Sequence, residues 1–291
     1  MKKKIKIVLL GLLLLQAIVG LQGCRKTYSP GDWNLLPAKE PEQPQEPDDT
    51  PAKNVKVMSL NMNVGTTVAN FDAMLDLIKE YDPDLLFLRQ VDSATTRAGK
   101  VDRPAAIAKA LGMVSYFKKN IDYQTGGFGN AVLSKFPVKE KYSQLLSREE
   151  GSTAELRSMV MVKVEVQEGH ALYFAGTELD PSVANNRALQ VVDLLNATEK
   201  LMQPVILVGN LNEQESGNGP VLSYLKGSFT FACLGTGCPW NAPKDKPTGV
   251  FDYITFKNTD DKLQLSKYGP FSKSANNFLP MTAEFKLKLP K

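Results

Sequence analysis

The sequence predicts an α/β layered domain whose sheets are mixed rather than purely parallel. Three observations carry that reading. Runs such as Leu85-Leu86-Phe87-Leu88 and Val205-Ile206-Leu207-Val208 are short and wholly aliphatic or aromatic, the pattern of strands covered on both faces. Stretches with helical spacing of apolar residues lie between such runs. Residues 159–166 and 172–175 are separated by a Gly169-His170 turn and read as a hairpin, which a purely parallel sheet would not contain.

Composition bounds the function before any motif is considered. Hydrophobic residues make up 43% and charged residues 23% of the 291, the balance of a folded globular body. The formal charge is +4, and Lys2, Lys3, Lys4 and Lys6 account for as many positive charges at the very start of the chain. The remainder is close to neutral and shows no basic stripe, so nucleic acid is not expected as a partner. There is one histidine, His170, which removes the commonest acid–base residue from almost any candidate site.

In chain order, residues 1–23 have a basic start, an apolar run and a Leu21-Gln22-Gly23-Cys24 ending. This pattern resembles a bacterial lipoprotein signal, with Cys24 lipidated as the first mature residue. The alternatives are an ordinary cleaved signal or a membrane span, the latter disfavoured by Gln16, Gly20, Gln22 and Gly23. Residues 24–53 carry Pro30, Pro37, Pro41, Pro44, Pro47 and Pro51 among Glu, Gln and Asp, the composition of a disordered tether. The folded domain is expected over 54–291, held at a bacterial cell envelope by the anchor, periplasmic or outer-membrane associated, and monomeric.

Residues 53–61 alternate and predict a strand, and Asn70 is placed as the cap of a helix carrying Phe71, Met74, Leu75 and Ile78. After the breaker Asp82-Pro83-Asp84 comes the strand 85–88, then a helix over 104–111 stopped by Gly112, then a strand at 130–134. Pro181 is read as opening a helix that runs to about Leu201. The strand 205–208 follows, ending in Gly209-Asn210-Leu211-Asn212, with last strands at 251–254 and 281–289. Cys233 and Cys238 are close enough in sequence for a small disulfide in an oxidising compartment, and a metal knuckle would lack further Cys or His ligands.

The strand ends, taken in order, resemble those of the endonuclease/exonuclease/phosphatase family, related to DNase I-like nucleases, sphingomyelinases and inositol polyphosphate phosphatases. The matching pieces are MSLN (58–61), DPDLLFLRQVD (82–92), GGFGNAVLSKFPV (126–138), TELD (177–180), VGNLN (208–212), FDYI (251–254) and NNFLP (276–280). The resemblance implies a four-layer α/β/β/α sandwich, two mixed sheets face to face with helices outside. It also implies hydrolysis of phosphate esters with a divalent ion held by an Asn and a Glu, a water-activating Asp, and two histidines at the phosphate.

Position by position, the scaffold matches and the chemistry does not. Asn61, Asn212 and Asp252 stand where the family has the same residues. Gln90 stands in place of the metal-binding Glu, Glu178 in place of a His, Asn210 in place of the Asp, and Asn277 and Phe278 in place of the terminal Asp-His pair. Losing the Glu carboxylate weakens any site for hard Mg²⁺. Losing a positioned base typically costs about 10²- to 10⁴-fold in rate. Glu178 would repel a phosphate dianion.

The expected function is therefore a catalytically degenerate phosphoesterase homologue that binds a ligand or partner in the former cleft, a carbohydrate or a protein. No catalytic set is intact and no cofactor is expected. Asn130, Arg157 and Arg187 are the ligand-binding candidates, by analogy with related chains. The alternative is a still active or repurposed metal-dependent phosphodiesterase or phosphatase, with Mg²⁺ as cofactor and Asn61 and Asp252 as residual ligands, or with Glu178, Asp180 and Asp252 in a rearranged site. A purely structural envelope lipoprotein is the third class.

Overall fold

A computed structural model of the chain describes residues 51–289, apart from 63–67, 216–218 and 234–236. The signal segment, Cys24 and nearly all of the expected tether lie outside the described residues. Among these residues no helix is long and apolar enough to cross a membrane.

Two six-stranded sheets form the body. One has the order β11-β12-β1-β2-β4-β3 and the other β5-β6-β7-β8-β10-β9. The first contains β1 (Ala52–Asn61), β2 (Leu85–Ser93), β3 (Val114–Tyr123), β4 (Gly126–Ser134), β11 (Leu263–Pro270) and β12 (Met281–Lys288). The second contains β5 (Val138–Leu145), β6 (Ser158–Gln167), β7 (His170–Glu178), β8 (Val205–Asn210), β9 (Thr230–Phe231) and β10 (Asp252–Lys257). Both are mixed: β1 runs parallel to β2 and β7 parallel to β8, and the other pairs are antiparallel.

The apolar runs follow from the layering. In β1, Val55 and Val57 face the other sheet, whereas Met58 and Leu60 pack beneath the helices. In β2, Leu85 and Phe87 point inward and Leu86 and Leu88 outward. In β8 the same split separates Ile206 and Val208 from Val205 and Leu207. Every position is buried on one side or the other, so strict alternation gives way to continuous hydrophobic sequence. The helices α1 (Val68–Tyr81) and α2 (Arg103–Leu111) contribute to the outer layer on the first sheet, through Met74, Ile78 and Ile107. On the second sheet, α3 (Ala184–Thr198) and α4 (Pro220–Lys226) do so through Val191, Leu194, Val221 and Leu225. The result is the four-layer sandwich the sequence implies.

Several boundaries differ from expectation. β1 begins at Ala52. Asn70 lies inside α1, which starts at Val68, and so does not cap it. Pro181 does not open α3; Val183 is the N-cap position, and Asp180 accepts the backbone N–H groups of Ser182 and Val183, each at 2.8 Å. α2 ends as predicted, Gly112 taking the left-handed conformation (φ 65°) that closes the helix. His170 is the first residue of β7 rather than part of the turn.

Candidate functional site

The site forms where the carboxyl ends of β7 and β8 meet the start of β10 and an irregularity in β2. The β8 ladder pairs Asn210 with Glu178 on one side and with Asp252 on the other. Since paired residues share a face, these three side chains point the same way as Val208's neighbours in the sandwich interior. Across from them, β2 loses register between Leu88 and Val91, and Gln90 adopts φ 55°. A bulge of this kind turns side chains out of the strand's alternation, and it delivers Arg89 and Gln90 to the two carboxylates of the opposite sheet.

Arg89 is 1% exposed and is the centre of the arrangement. Its Nε donates to Asp252 Oδ1 at 2.9 Å and one Nη donates to Asp252 Oδ2 at 3.1 Å, a two-point fork on one carboxylate. The other Nη donates to Glu178 Oε1 at 2.9 Å, and Gln90 Nε2 donates to the same oxygen at 2.7 Å. The far oxygen of Glu178 accepts from Arg157 Nη1 at 3.1 Å. Asn241 Nδ2 donates to Asp252 Oδ2 at 2.9 Å. The Phe278 ring covers the guanidinium at 4.9 Å and meets Phe251 edge-on at 6.1 Å. Burial alone opposes the Arg89 charge, but Asp252 and then Glu178 outweigh it and hold the guanidinium above its usual pKa.

These contacts test whether the family's divalent ion fits. Mg²⁺ needs oxygen lone pairs in near-octahedral array. Asp252 has both oxygens engaged by Arg89 and Asn241, and Glu178 has both engaged by Arg89, Gln90 and Arg157. An ion between these carboxylates would have to expel a guanidinium, and the positions that hold the ion in the family offer here only the amides Asn61 and Gln90, the latter donating to Glu178, so the residues present do not fit it. A rearranged site of Glu178, Asp180 and Asp252 fares no better. Asp180 Oδ1 is taken by Ser182 and Val183, and its Oδ2 accepts from Asn186 Nδ2 at 2.9 Å. Burial would raise the Asp180 carboxyl, but Asn186, those two N–H groups and Arg157 outweigh it and hold it below its ordinary range. Among the described residues, Glu215 lies near Cys233 and Cys238, but these cysteines are joined in a disulfide and offer no thiolate.

The amides expected to line the cleft are mostly committed within the fold. Asn210 Oδ1 accepts from the Asn212 backbone N–H at 2.8 Å, and Asn212 Nδ2 donates to the Leu179 carbonyl at 2.8 Å. Asn61 is 2% exposed, and its backbone carbonyl accepts from Asn276 Nδ2 at 2.6 Å. Asn277 is exposed, its backbone carbonyl accepting from Lys244. Of the three ligand-binding candidates, Asn130 lies level with the β2 bulge, but it is 0% exposed and its Nδ2 donates to the Ser158 carbonyl at 3.1 Å. Arg187 is half-buried and donates to the Asp180 carbonyl at 3.0 Å. Arg157 does line a cleft, a cavity of about 610 Å³ shared with Ser152, Glu155, Asp180 and Ser182. There burial raises the Glu155 carboxyl above its usual pKa; Arg157 opposes the shift and Glu178 and Asp180 add to it. His170 sits at the other end of β7 from Glu178, about 26 Å away at the rise of an extended strand.

Arg89 was absent from the expected site. Its signal was present in the sequence as Arg-Gln-Val-Asp, a cation appearing beside the position that had lost a carboxylate.

Solved structures share the fold at low identity. An endonuclease/exonuclease/phosphatase family protein of Bacteroides thetaiotaomicron is 14% identical, with TM-score 0.67, 82% of this chain and 100% of that one covered. A mannosyl-6-phosphatase of the same organism is 14% identical with TM-score 0.64, covering 79% and 99%. The catalytic domain of human Nocturnin, with bound sulfate, is 17% identical with TM-score 0.65, covering 81% and 94%. Among curated proteins no sequence matches the chain. The family model described as the PGAP2IP C-terminal nuclease-like domain matches residues 57–226. That span exceeds half of the chain, and with the two-sheet sandwich it places this protein in the endonuclease/exonuclease/phosphatase, DNase I-like family.

Proposed function

We propose that the chain is a catalytically degenerate phosphoesterase homologue that binds an uncharged, polyhydroxylated ligand such as a sugar beside the former active site. The observation that carries this reading is that every oxygen of Glu178 and Asp252 already accepts from Arg89, Gln90, Arg157 or Asn241. A general base must be able to reach water and take up its proton, and a Lewis acid needs open ligands; both carboxylates here are buried and paired with guanidinium groups. Asn210 has no proton-accepting carboxylate, and Phe278 offers a phosphate nothing to bond. The adjoining cleft mixes donors and acceptors, with Arg157 set among Ser152, Glu155 and Asp180, a lining suited to hydroxyl groups. We further propose that Cys24 carries a lipid and holds the domain, as a monomer, at a bacterial envelope in the periplasm or at the outer membrane.

The test pairs two assays on the purified protein. Phosphomonoesters and phosphodiesters, with Mg²⁺ or Mn²⁺ present, should show no turnover above background. A panel of neutral glycans should yield a binder whose affinity falls in Arg157→Ala. Turnover that a chelator and Asp252→Ala both abolish would sink the degenerate reading. A glycan panel with no binder would remove the sugar.

A further inference from the structure

We infer that Arg89 is the resident organic cation of this site, a guanidinium that neutralises the buried Glu178–Asp252 pair so that the pair takes no divalent ion. Two carboxylates from separate strands, Glu178 and Asp252, converge on one buried point, a geometry that demands a cation between them. The group found there is the Arg89 guanidinium, forked onto Asp252 and bonded to Glu178. Arg157 meets the outer oxygen of Glu178 at 3.1 Å and also reaches Glu155 Oε1 at 3.3 Å, so it is shared between this pair and the neighbouring cleft, and Arg89 is the cation that belongs to the pair alone. A guanidinium suits this position because it is planar, permanently charged and weakly hydrated, whereas Mg²⁺ insists on keeping water. Phe278 closes the face of the guanidinium, and Gln90 donates to the oxygen of Glu178 that Arg89 also holds.

Several substitutions thereby become one exchange. Arg89 stands beside the position where Gln90 replaces a carboxylate, and Glu178, in place of a His, is the counter-charge that Arg89 and Arg157 both meet. Phe278 gives the cation an apolar lid. The exchange has a cost for chemistry, since a guanidinium cannot ligate a water and lower its pKa. It has a consequence for stability as well: the cation of this site is covalently part of the chain and cannot be chelated. The inference stands apart from the proposed ligand. A cleft that bound no sugar would leave Arg89 as the cation, and a bound sugar would not require it.

Metal titration tests it, on the protein and on two variants. Calorimetric titration of Mn²⁺ into the protein is expected to show no saturable binding, and melting should be the same in Mg²⁺ and in EDTA. Arg89→Ala vacates the cation position, so Mg²⁺ or methylguanidinium should raise its melting temperature while leaving the parent protein unmoved. Arg89→Gln combined with Gln90→Glu restores a carboxylate and removes the cation, and should bind Mn²⁺ saturably where the parent does not. Saturable Mn²⁺ binding by the parent that Asp252→Asn abolishes would overturn the inference, as would a melting temperature lowered by EDTA. Folded variants that respond neither to metal nor to methylguanidinium would overturn it too. If neither variant folds, the parent titration with its chelator control decides alone.

Discussion

An arginine that is 1% exposed persists only because its charge is met at every turn, and the consequences at Arg89 can be stated residue by residue. Removing one member of a buried ion cluster strands the others, so Arg89→Met should lower unfolding free energy by about 3–5 kcal/mol in urea titration. Adding Glu178→Gln and Asp252→Asn to that variant removes the stranded charges and should recover most of the loss; a triple variant as unstable as the single would show that shape, not charge, sets the cost. Asp180 gives a prediction in pH. Its folded-state carboxyl is held below the ordinary value, burial opposing and Asn186, Val183, Ser182 and Arg157 outweighing it. Its stabilisation is therefore fully present above the unfolded value, about 3.9, and lost as pH falls through the folded one. Asp180→Ala should cost about 1 kcal/mol at neutral pH through lost N–H acceptors, and its stability should converge with the parent's in acid. Glu155 carries the opposite sign, because its raised carboxyl contributes more as pH drops from above its folded value. At this scale the sequence announced the lost carboxylates at Gln90 and Asn210 but not the partner of Glu178. That partner comes from β2, 89 residues away, and only the bulge brings it there.

At the scale of elements, the expected and observed strands diverge in a consistent way. The strands that the sequence left unassigned were β3, β5, β9 and β11, and these are the four edges of the two sheets. An edge strand packs against one neighbour and faces solvent along much of its length, so charged residues interrupt its apolar pattern. β5 reads Val-Lys-Glu-Lys-Tyr-Ser-Gln-Leu, and most of it is exposed or half-buried. The central strands were legible because burial on both faces leaves no polar position to blur the run. One glycine in such a strand controls how closely the sheets approach. Gly176 of β7 lies against the ring of Phe87 in β2, and a methyl group there would overlap the ring. Gly176→Ala should therefore destabilise by about 1–3 kcal/mol, the usual cost of overpacking a tight core. Shortening the opposing ring with Phe87→Leu should return part of that loss in the double variant. Strictly additive costs, measured by urea titration of both singles and the double, would show that the two residues do not compete for the same space.

For the whole molecule, the decisive property is that the ion cluster ties the two sheets together. Arg89 belongs to one sheet, and Glu178 and Asp252 belong to the other; the inter-sheet core of Phe87, Phe174, Val208, Ile254 and Phe285 continues beneath them. Neither sheet can leave without exposing that core and stranding charges, so the two should unfold as one unit. Residues Thr50–Lys291 form a single compact unit, and a chain beginning at Thr50 is predicted to fold and melt cooperatively. Such a chain retains one of the two tryptophans, Trp240, since Trp33 is removed. Trp240, 56% exposed, precedes Asn241, which donates to Asp252, so its fluorescence follows the segment that carries this bond, whereas far-ultraviolet circular dichroism reports the sheets. The two signals should trace superimposable urea transitions. A fluorescence change that clearly preceded the loss of circular dichroism would mean that the segment bonded to Asp252 comes away first, and that the buried cluster does not bind the sheets into one cooperative whole.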